Sequence, residues 1–122
     1  MSKVRLIIPI IALIGIGAVI HFAPPTLSVR IRPIGIMQAP GSCDIEVNVD
    51  HSPDNRQLDV ILDGIDFYRS STVVLKELSS STFNYRYDRL PPGEYVAEAV
   101  LTQSVMGKWR EVRRRSNMLT VY

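Results

Sequence analysis

The chain has 122 residues, 14 Lys and Arg against 12 Asp and Glu, and a single Cys. That length fits one domain of ordinary size, and one cysteine excludes a disulfide framework within a single chain. With 46% apolar and 21% charged residues, the composition also excludes a disordered or collagen-like chain.

The amino-terminal segment contains a long run without charge. Residues 6–23, LIIPIIALIGIGAVIHFA, form 18 uncharged positions. As a helix they would span about 27 Å, close to the thickness of a bilayer's hydrocarbon core. Lys3 and Arg5 precede the run, and no further Lys or Arg follows until Arg30. The positive-inside rule therefore predicts a cytoplasmic amino terminus and an exported remainder.

This segment could be a cleaved signal peptide or a retained anchor. A cleavage site needs small residues at the −3 and −1 positions. A cut after Ala23 would place His21 at −3 and Pro24 at +1, and a cut after Ala18 would place Ile16 at −3. Neither site fits, so we expect a retained single-pass anchor in a bacterial inner membrane. The predicted organisation is a cytoplasmic stub and transmembrane helix at 1–23, a Pro-rich linker at 24–26, and an extracytoplasmic domain at 27–122.

Small residues recur along the predicted anchor helix. Ala12, Gly15 and Ala18 fall at i, i+3 and i+6, a spacing that lets another membrane helix approach closely. The alternative is that Gly and Ala are simply common in membrane helices. His21, near the exported end, could ligate a metal or pigment or could lie at the membrane interface.

Beyond the linker the hydrophobic period is two, which is typical of strands with one buried and one solvated face. The stretch Asp44-Ile45-Glu46-Val47-Asn48-Val49-Asp50 shows this alternation most clearly. Turn residues separate such runs, and Met106-Gly107-Lys108 is expected to form a hairpin tip. About seven strands are predicted, at residues 27–32, 44–50, 58–63, 72–76, 83–88, 94–102 and 109–122, with the last broken near 116–117. The predicted fold is an all-β antiparallel sandwich behind one amino-terminal transmembrane α-helix.

Residues 83–101 read FNYRYDRLPPGEYVAEAVL. This stretch resembles the E strand, corner and F strand of immunoglobulin-like and fibronectin type III-like domains, and its most specific part is residues 90–95. The resemblance implies that Tyr95 bonds back to the backbone at the E–F corner. The antibody-type Cys pair is missing, because Ala97 stands two residues after Tyr95, and Trp109 lies too late to be the strand-C tryptophan. The chain thus resembles a bacterial immunoglobulin-like β-sandwich, a fold that does not by itself assign a function.

Catalytic and metal-binding patterns are absent from the sequence. It contains no G-x-S-x-G, S-x-x-K, CxxC, HxH or HExxH motif. Cys43 begins a predicted strand and His51 follows its end, so about 25 Å of extended chain separates them. Residues 44–66 hold seven acids against one base and could bind Ca²⁺, but a solvated acidic face is the favoured interpretation. We expect no enzyme activity, no metal and no cofactor. Cys43 is expected to be a small, partly buried residue, and the alternative is an intermolecular disulfide or a modification.

A basic run with one aromatic residue occurs late in the chain. It could pair with the acidic strands, lie against anionic headgroups beside the anchor, or bind an acidic partner protein. Nucleic acid is not expected, because without Lys3 and Arg5 the exported part is neutral. The candidate partner-binding residues are Lys108, Trp109, Arg110, Arg113, Arg114 and Arg115.

The short linker keeps the domain close to the membrane, which favours a non-catalytic accessory subunit of a larger membrane protein complex of respiratory, photosynthetic or secretion type. Its expected partners are other subunits of that complex and the lipid bilayer, with no small-molecule substrate. The alternative is an extracytoplasmic glycan- or peptide-binding module. Its candidate binding aromatics are Tyr68, Tyr87, Trp109 and Tyr122.

Overall fold

The computed structural model of the chain describes residues 25–76 and 81–122. Within these ranges the chain forms eight β-strands, arranged in a three-stranded and a five-stranded sheet. In chain order they are β1 (Leu27–Arg32), β2 (Gly35–Met37), β3 (Gly41–Val49), β4 (Asn55–Gly64), β5 (Phe67–Val74), β6 (Thr82–Leu90), β7 (Gly93–Val105) and β8 (Lys108–Val121).

The three-stranded sheet has the order β1-β3-β6, and both strand pairs are antiparallel. Its inner face follows from the alternation in β3, where Cys43, Ile45, Val47 and Val49 are buried. The polar residues between them point to solvent. The pattern that predicts this strand from sequence is therefore the same pattern that orients it in the fold.

The five-stranded sheet has the order β2-β8-β7-β4-β5. Its pairs are antiparallel except for β2, which runs parallel to β8. Because β1 and β2 lie in different sheets, the chain crosses from one sheet to the other at residues 33–34. The strand β2 covers only the end of β8, from Leu119 to Val121. Among the described residues, no strand pairs with the outer edge of β8 before that point.

The hydrophobic core lies between the inner faces of the two sheets. Because period-two alternation puts every second residue on the inner face, the long strands β3, β4 and β7 supply most of it. The fully buried side chains of the core are Ile31, Ile45, Val47, Leu58, Val60, Leu62, Leu90, Tyr95, Leu101 and Leu119, together with Cys43.

Tyr95 forms the corner that the resemblance implies. Its ring is 2% exposed, and its hydroxyl donates a hydrogen bond of 2.6 Å to the carbonyl oxygen of Pro91 in the β6–β7 connection. The ring also packs edge-to-face against Phe67, with centroids 5.8 Å apart. Gly64, opposite Tyr95 on β4, makes room for the ring, because a Cβ at that position would lie 2.7 Å from it. One side chain thus joins the β6–β7 corner to the end of β4.

The strand predictions need three corrections. The described residues form eight strands and not seven, because the three-residue β2 shows no alternation that sequence could reveal. The predicted strand at 72–76 is the end of a longer β5, whose polar edge residues Arg69, Ser70 and Ser71 hide the period. The strand β8 is not broken near 116–117, since Ser116 pairs with Glu98 and Asn117 with Ala97. The predicted anchor at 1–23 lies outside the described residues.

We predict that Tyr95→Phe lowers the free energy of unfolding by about 1 kcal/mol, because it removes one buried hydrogen bond and leaves the Pro91 carbonyl oxygen without its partner. Urea unfolding of the full chain in detergent, followed by circular dichroism, measures the loss. The control is Tyr68→Phe, since Tyr68 is 56% exposed and should tolerate the change. Equal loss in both variants would contradict the role of the corner.

We further predict that Gly64→Ala lowers the free energy of unfolding by about 1–3 kcal/mol, because the new Cβ overlaps the Tyr95 ring. In the background of the Tyr95→Val variant, Gly64→Ala should lower the free energy of unfolding by less, since the ring that it would overlap is absent. A double-mutant cycle of urea midpoints measures this coupling. Additive effects of the two substitutions would show that the close approach does not restrict position 64.

Candidate interaction surfaces

The two ends of the sandwich differ in what they carry. We name one of them the entry end, because the described chain enters β1 there. It comprises the start of β1, the β3–β4 loop at 51–54 and the β7–β8 turn at Met106-Gly107. The opposite end carries the β6–β7 corner and the carboxyl-terminal Tyr122.

Hydrogen bonds connect the start of β1 to the base of the β7–β8 hairpin. The Thr26 amide donates to the Asp50 carboxylate at 2.9 Å, and the Asn55 amide group donates to the Asp50 carbonyl oxygen, also at 2.9 Å. Gln103 on β7 then donates to Asn55 Oδ1 at 2.8 Å. Asn55 is only 7% exposed, so its side chain satisfies its polar atoms within the protein. This series of hydrogen bonds fixes the hairpin relative to the point where the polypeptide enters the sandwich.

The hairpin extends past the start of β4 at the entry end. The strand β4 begins at Asn55, opposite Gln103, whereas β7 and β8 remain paired for two further residues on each strand, to Val105 and Lys108. Two residues of strand add about 7 Å. We name residues 105–110 the hairpin tip. Met106 on it is 99% exposed and Trp109 is 59% exposed.

The turn at the hairpin tip adopts a costly backbone conformation. Met106 has a φ of 53° and Gly107 a φ of 82°, as in a two-residue type I′ hairpin turn. Asn and Gly are the residues favoured there, and the left-handed region costs an ordinary L-residue about 1–2 kcal/mol. Burial of the Met106 side chain does not offset this backbone cost, because the side chain is almost fully exposed.

The structure distributes the predicted basic residues over different surfaces. Lys108, Trp109 and Arg110 lie on the hairpin tip. Arg114 lies on the outer face of the five-stranded sheet, where it contacts Glu98 at 2.7 Å and Glu111 at 2.8 Å. Its hydrogen bond holds the pKa of Glu111 below the usual range.

Arg113 and Arg115 belong to the inner side of the same strand. They lie opposite the buried Leu101 and Ala99, and residues opposite each other across a strand pair share a face. Charged residues pointing inward at a sheet edge discourage a second chain from pairing with that edge. The inward orientation of these two arginines separates them from the hairpin tip, and a partner-binding role for them stays a prediction.

A β-bulge in β8 produces this division. Leu101 pairs with Arg113, whereas the next residue, Thr102, pairs with Glu111. Val112 is therefore an extra residue on β8, and the inward and outward positions change phase there. The sequence shows no sign of the bulge, so it could not predict which arginine faces which side.

The outer face of the five-stranded sheet exposes apolar side chains near the end remote from the hairpin tip. Val96 lies directly opposite Met118, and Ile36 of β2 lies opposite Thr120, two residues along β8 from Met118. These three apolar residues are 37%, 58% and 60% exposed, respectively. We name Ile36, Val96 and Met118 the apolar strip. Sequence reasoning missed it, because Ile36 and Met118 meet only through the crossing of β2 to the second sheet.

The acidic residues near the start of β3 are paired within the three-stranded sheet. Glu46 lies 3.5 Å from Arg32, and Asp44 lies 3.2 Å from Arg86. These contacts join β3 to the two strands beside it. Among the described residues no group of three or more His, Cys, Asp or Glu side chains could hold a metal ion.

Cys43 and His51 are far apart in the fold, as the sequence predicted. Cys43 is fully buried in β3, and burial, followed by the charge of Asp44, raises the pKa of its thiol to about 11. His51 is exposed at the entry end, beside a shallow depression lined by Asp50, Asn55 and Lys76 among others. At neutral pH the thiol is protonated and has no base beside it, so it is a poor nucleophile.

The candidate aromatic residues do not share one face. Trp109 lies on the hairpin tip, whereas Tyr122 follows the far end of β8, about 40 Å away along the strand. Tyr68 lies on the edge strand β5, and Tyr87 packs half-buried against the core. Trp109 is exposed, as a binding role requires, but the four side chains do not line a common groove.

Comparison with known proteins agrees with this architecture. No protein-family model and no curated protein matches the chain. Among solved structures, the CARDB domain of the PF1109 protein from Pyrococcus furiosus, in complex with di-metal ions, is similar with a TM-score of 0.51 at 16% identity. That alignment covers 82% of this chain and 96% of the domain. An engineered protein has the same TM-score at 14% identity, with coverage of 82% of this chain and 21% of its own.

The chain folds as an immunoglobulin-like β-sandwich. In immunoglobulin order, β1, β3 and β6 correspond to strands A, B and E, and β4, β7 and β8 to strands C, F and G. Tyr95 then occupies the place of the tyrosine corner at the start of strand F. The likeness establishes the fold and carries no activity with it.

The candidate residues of the anchor cannot be placed in this fold. Ala12, Gly15, Ala18 and His21 lie outside the described residues. Within residues 25–76 and 81–122, no helix is long and apolar enough to cross a membrane. The helix-packing and ligand roles of these residues stay predictions.

We predict that the Cys43 thiol of the native chain does not react with a thiol reagent at pH 8. Its pKa of about 11 leaves about one thiol in a thousand ionised, and the sulfur has no solvent contact. Reaction should begin only when urea unfolds the chain, at the same midpoint as the loss of circular dichroism. Because Cys43 is the single cysteine, the increase in intact mass on labelling reports the modification of this residue alone. Fast labelling of the folded chain would show an accessible thiol.

Proposed function

We propose that the protein is a non-catalytic, single-pass membrane-anchored accessory subunit. In this proposal its amino terminus is cytoplasmic, and its β-sandwich lies on the extracytoplasmic side of a bacterial inner membrane, where it binds and stabilises a larger membrane protein complex. The relation to fibronectin type III-like domains belongs to the same proposal and is supported by the Tyr95 corner.

The apolar strip is the observation that carries this proposal. Ile36, Val96 and Met118 stand exposed near one another on the outer face of the five-stranded sheet, on the three neighbouring strands β2, β7 and β8. The cores of protein interfaces are enriched in apolar residues, Met among them, and depleted of charge. The strip is framed by Glu94 and Asp63, which gives it a polar rim.

The length of the linker supports a partner close to the membrane. Three residues, Pro24 to Thr26, separate the predicted anchor from Leu27, and three extended residues span at most about 10 Å. A domain held so close to a bilayer has little reach for distant ligands. Its accessible partners are the extracytoplasmic parts of neighbouring membrane proteins.

The chemistry of the described side chains supports a binding role. The thiol of Cys43 is buried, its raised pKa keeps it protonated at neutral pH, and the exposed His51 follows the opposite end of β3. A binding subunit requires a stable fold and an exposed contact surface. The β-sandwich provides the fold, and the apolar strip provides the surface.

We predict that Met118→Lys weakens the association about tenfold or more, because it places an unpaired charge in the core of the interface. Tagged full-length chain expressed at native level, solubilised in mild detergent and separated by native electrophoresis, should co-migrate with a larger complex. The variant should migrate mainly as a small species.

Val74→Lys is the matched control, because Val74 is 64% exposed on the outer face of the same sheet but belongs to the edge strand β5. It should leave co-migration unchanged. Unsubstituted chain that migrates as a free monomer would contradict the proposed function. Equal loss in both variants would contradict the assignment of the interface to the apolar strip.

A further inference from the structure

The hairpin tip combines the two chemistries that proteins use at a lipid surface. Met106 and Trp109 expose apolar and amphipathic side chains, and Lys108 and Arg110 stand exposed beside them. Tryptophan is favoured at the headgroup level of a bilayer, and cations are attracted to anionic lipids.

The backbone of the turn points to a selected role for Met106. Its φ of 53° favours Asn or Gly, and the Met side chain contacts no core that would offset the strain. Strain that persists at an exposed position without a packing gain is typical of a functional contact.

The fold places the hairpin tip at the same end as residues 25–26, which lead into β1. The described chain enters β1 at the entry end, and the bonds from Thr26 through Asp50 and Asn55 to Gln103 fix the hairpin to that point. The hairpin then projects about 7 Å past the start of β4. The tip therefore extends past the start of β4 at the end of the sandwich where residues 25–26 lead into β1.

The distances bring the tip to the lipid headgroups. The linker spans at most about 10 Å, and the headgroup layer on each side of a bilayer is about 6 Å thick. A tip that projects about 7 Å covers most of the gap that the linker can open. Two acids of the entry end bond within the domain: the Asp50 carboxylate accepts from the Thr26 amide, and the Asp54 carbonyl oxygen accepts from the Ser104 amide at the base of the tip.

We propose that the hairpin tip docks on an anionic lipid surface. Met106 and Trp109 enter the headgroup layer, and Lys108 and Arg110 contact lipid phosphates. This docking rests on the proposed membrane anchor, and it adds a second contact that orients the sandwich. With the tip against the lipid, the apolar strip near the opposite end faces away from the bilayer and stays open to a partner.

The single tryptophan of the chain makes the docking measurable. Full chain is reconstituted into phosphatidylcholine vesicles containing about a quarter phosphatidylglycerol, with or without brominated acyl chains. Brominated lipid should lower Trp109 emission about twofold, because the ring lies at the headgroup–acyl boundary. Without phosphatidylglycerol, or at high salt, the quenching should fall.

Met106→Asn is the sharpest variant, because Asn suits the turn and should leave the fold at least as stable. It should nevertheless reduce the quenching of Trp109. Lys108→Glu should lower the ratio of docked to undocked tip by more than about fivefold, the value expected for the loss of one cation. Arg89→Glu is its control, with the same change of charge at the opposite end of the sandwich.

Flotation of the vesicles separates the two proposals. If the protein floats with the vesicles but brominated lipid does not quench Trp109 and aqueous acrylamide does, docking is overturned and the anchor proposal stands. Chain that does not float would overturn both. Trp109 that acrylamide cannot reach in native membranes, but that brominated lipid does not quench in vesicles, would show that a protein covers the tip and would overturn lipid docking.

Discussion

Burial of the Tyr95 side chain fixes the part of the sandwich on which the other contacts depend. Its hydroxyl reaches the Pro91 carbonyl oxygen at 2.6 Å, and its ring occupies the space that a side chain at Gly64 would need. These contacts set β7 against β6 at the corner and against β4 within the sheet. Because β7 pairs with both β4 and β8 over most of its length, its position determines the apolar strip at one end and the hairpin tip at the other.

The alternation of apolar and polar residues predicts most of this architecture. The strands β1, β3, β4, β6 and β7 follow from it, as does the Met106-Gly107 turn. What the sequence does not reveal are features without a period. The strand β2 is three residues long, and β5 is an edge strand whose inward side chains are partly polar. The strand β8 continues through Ser116 and Asn117 because β7 supplies partners for both, which is a long-range effect.

The candidate surfaces could be predicted less well than the fold. A run of basic residues in the sequence looks like one surface, but successive side chains of a strand point to opposite faces. The bulge at Val112 shifts that alternation by one residue. Arg113 and Arg115 therefore lie on the inner side of β8 and Arg114 on its outer face, and all three lie outside the hairpin tip. The apolar strip is the opposite case, because it is assembled from β2, β7 and β8, which are distant in sequence.

We propose that the two ends of this small domain contact different neighbours: lipid at the hairpin tip and protein at the apolar strip. Both assignments depend on an amino-terminal segment that stays attached. The most direct measurement is the intact mass of the protein from carbonate-washed native membranes. A retained anchor predicts a mass in the membrane fraction that includes residues 1–23. A mass beginning after Ala23, found in the soluble fraction, would contradict it.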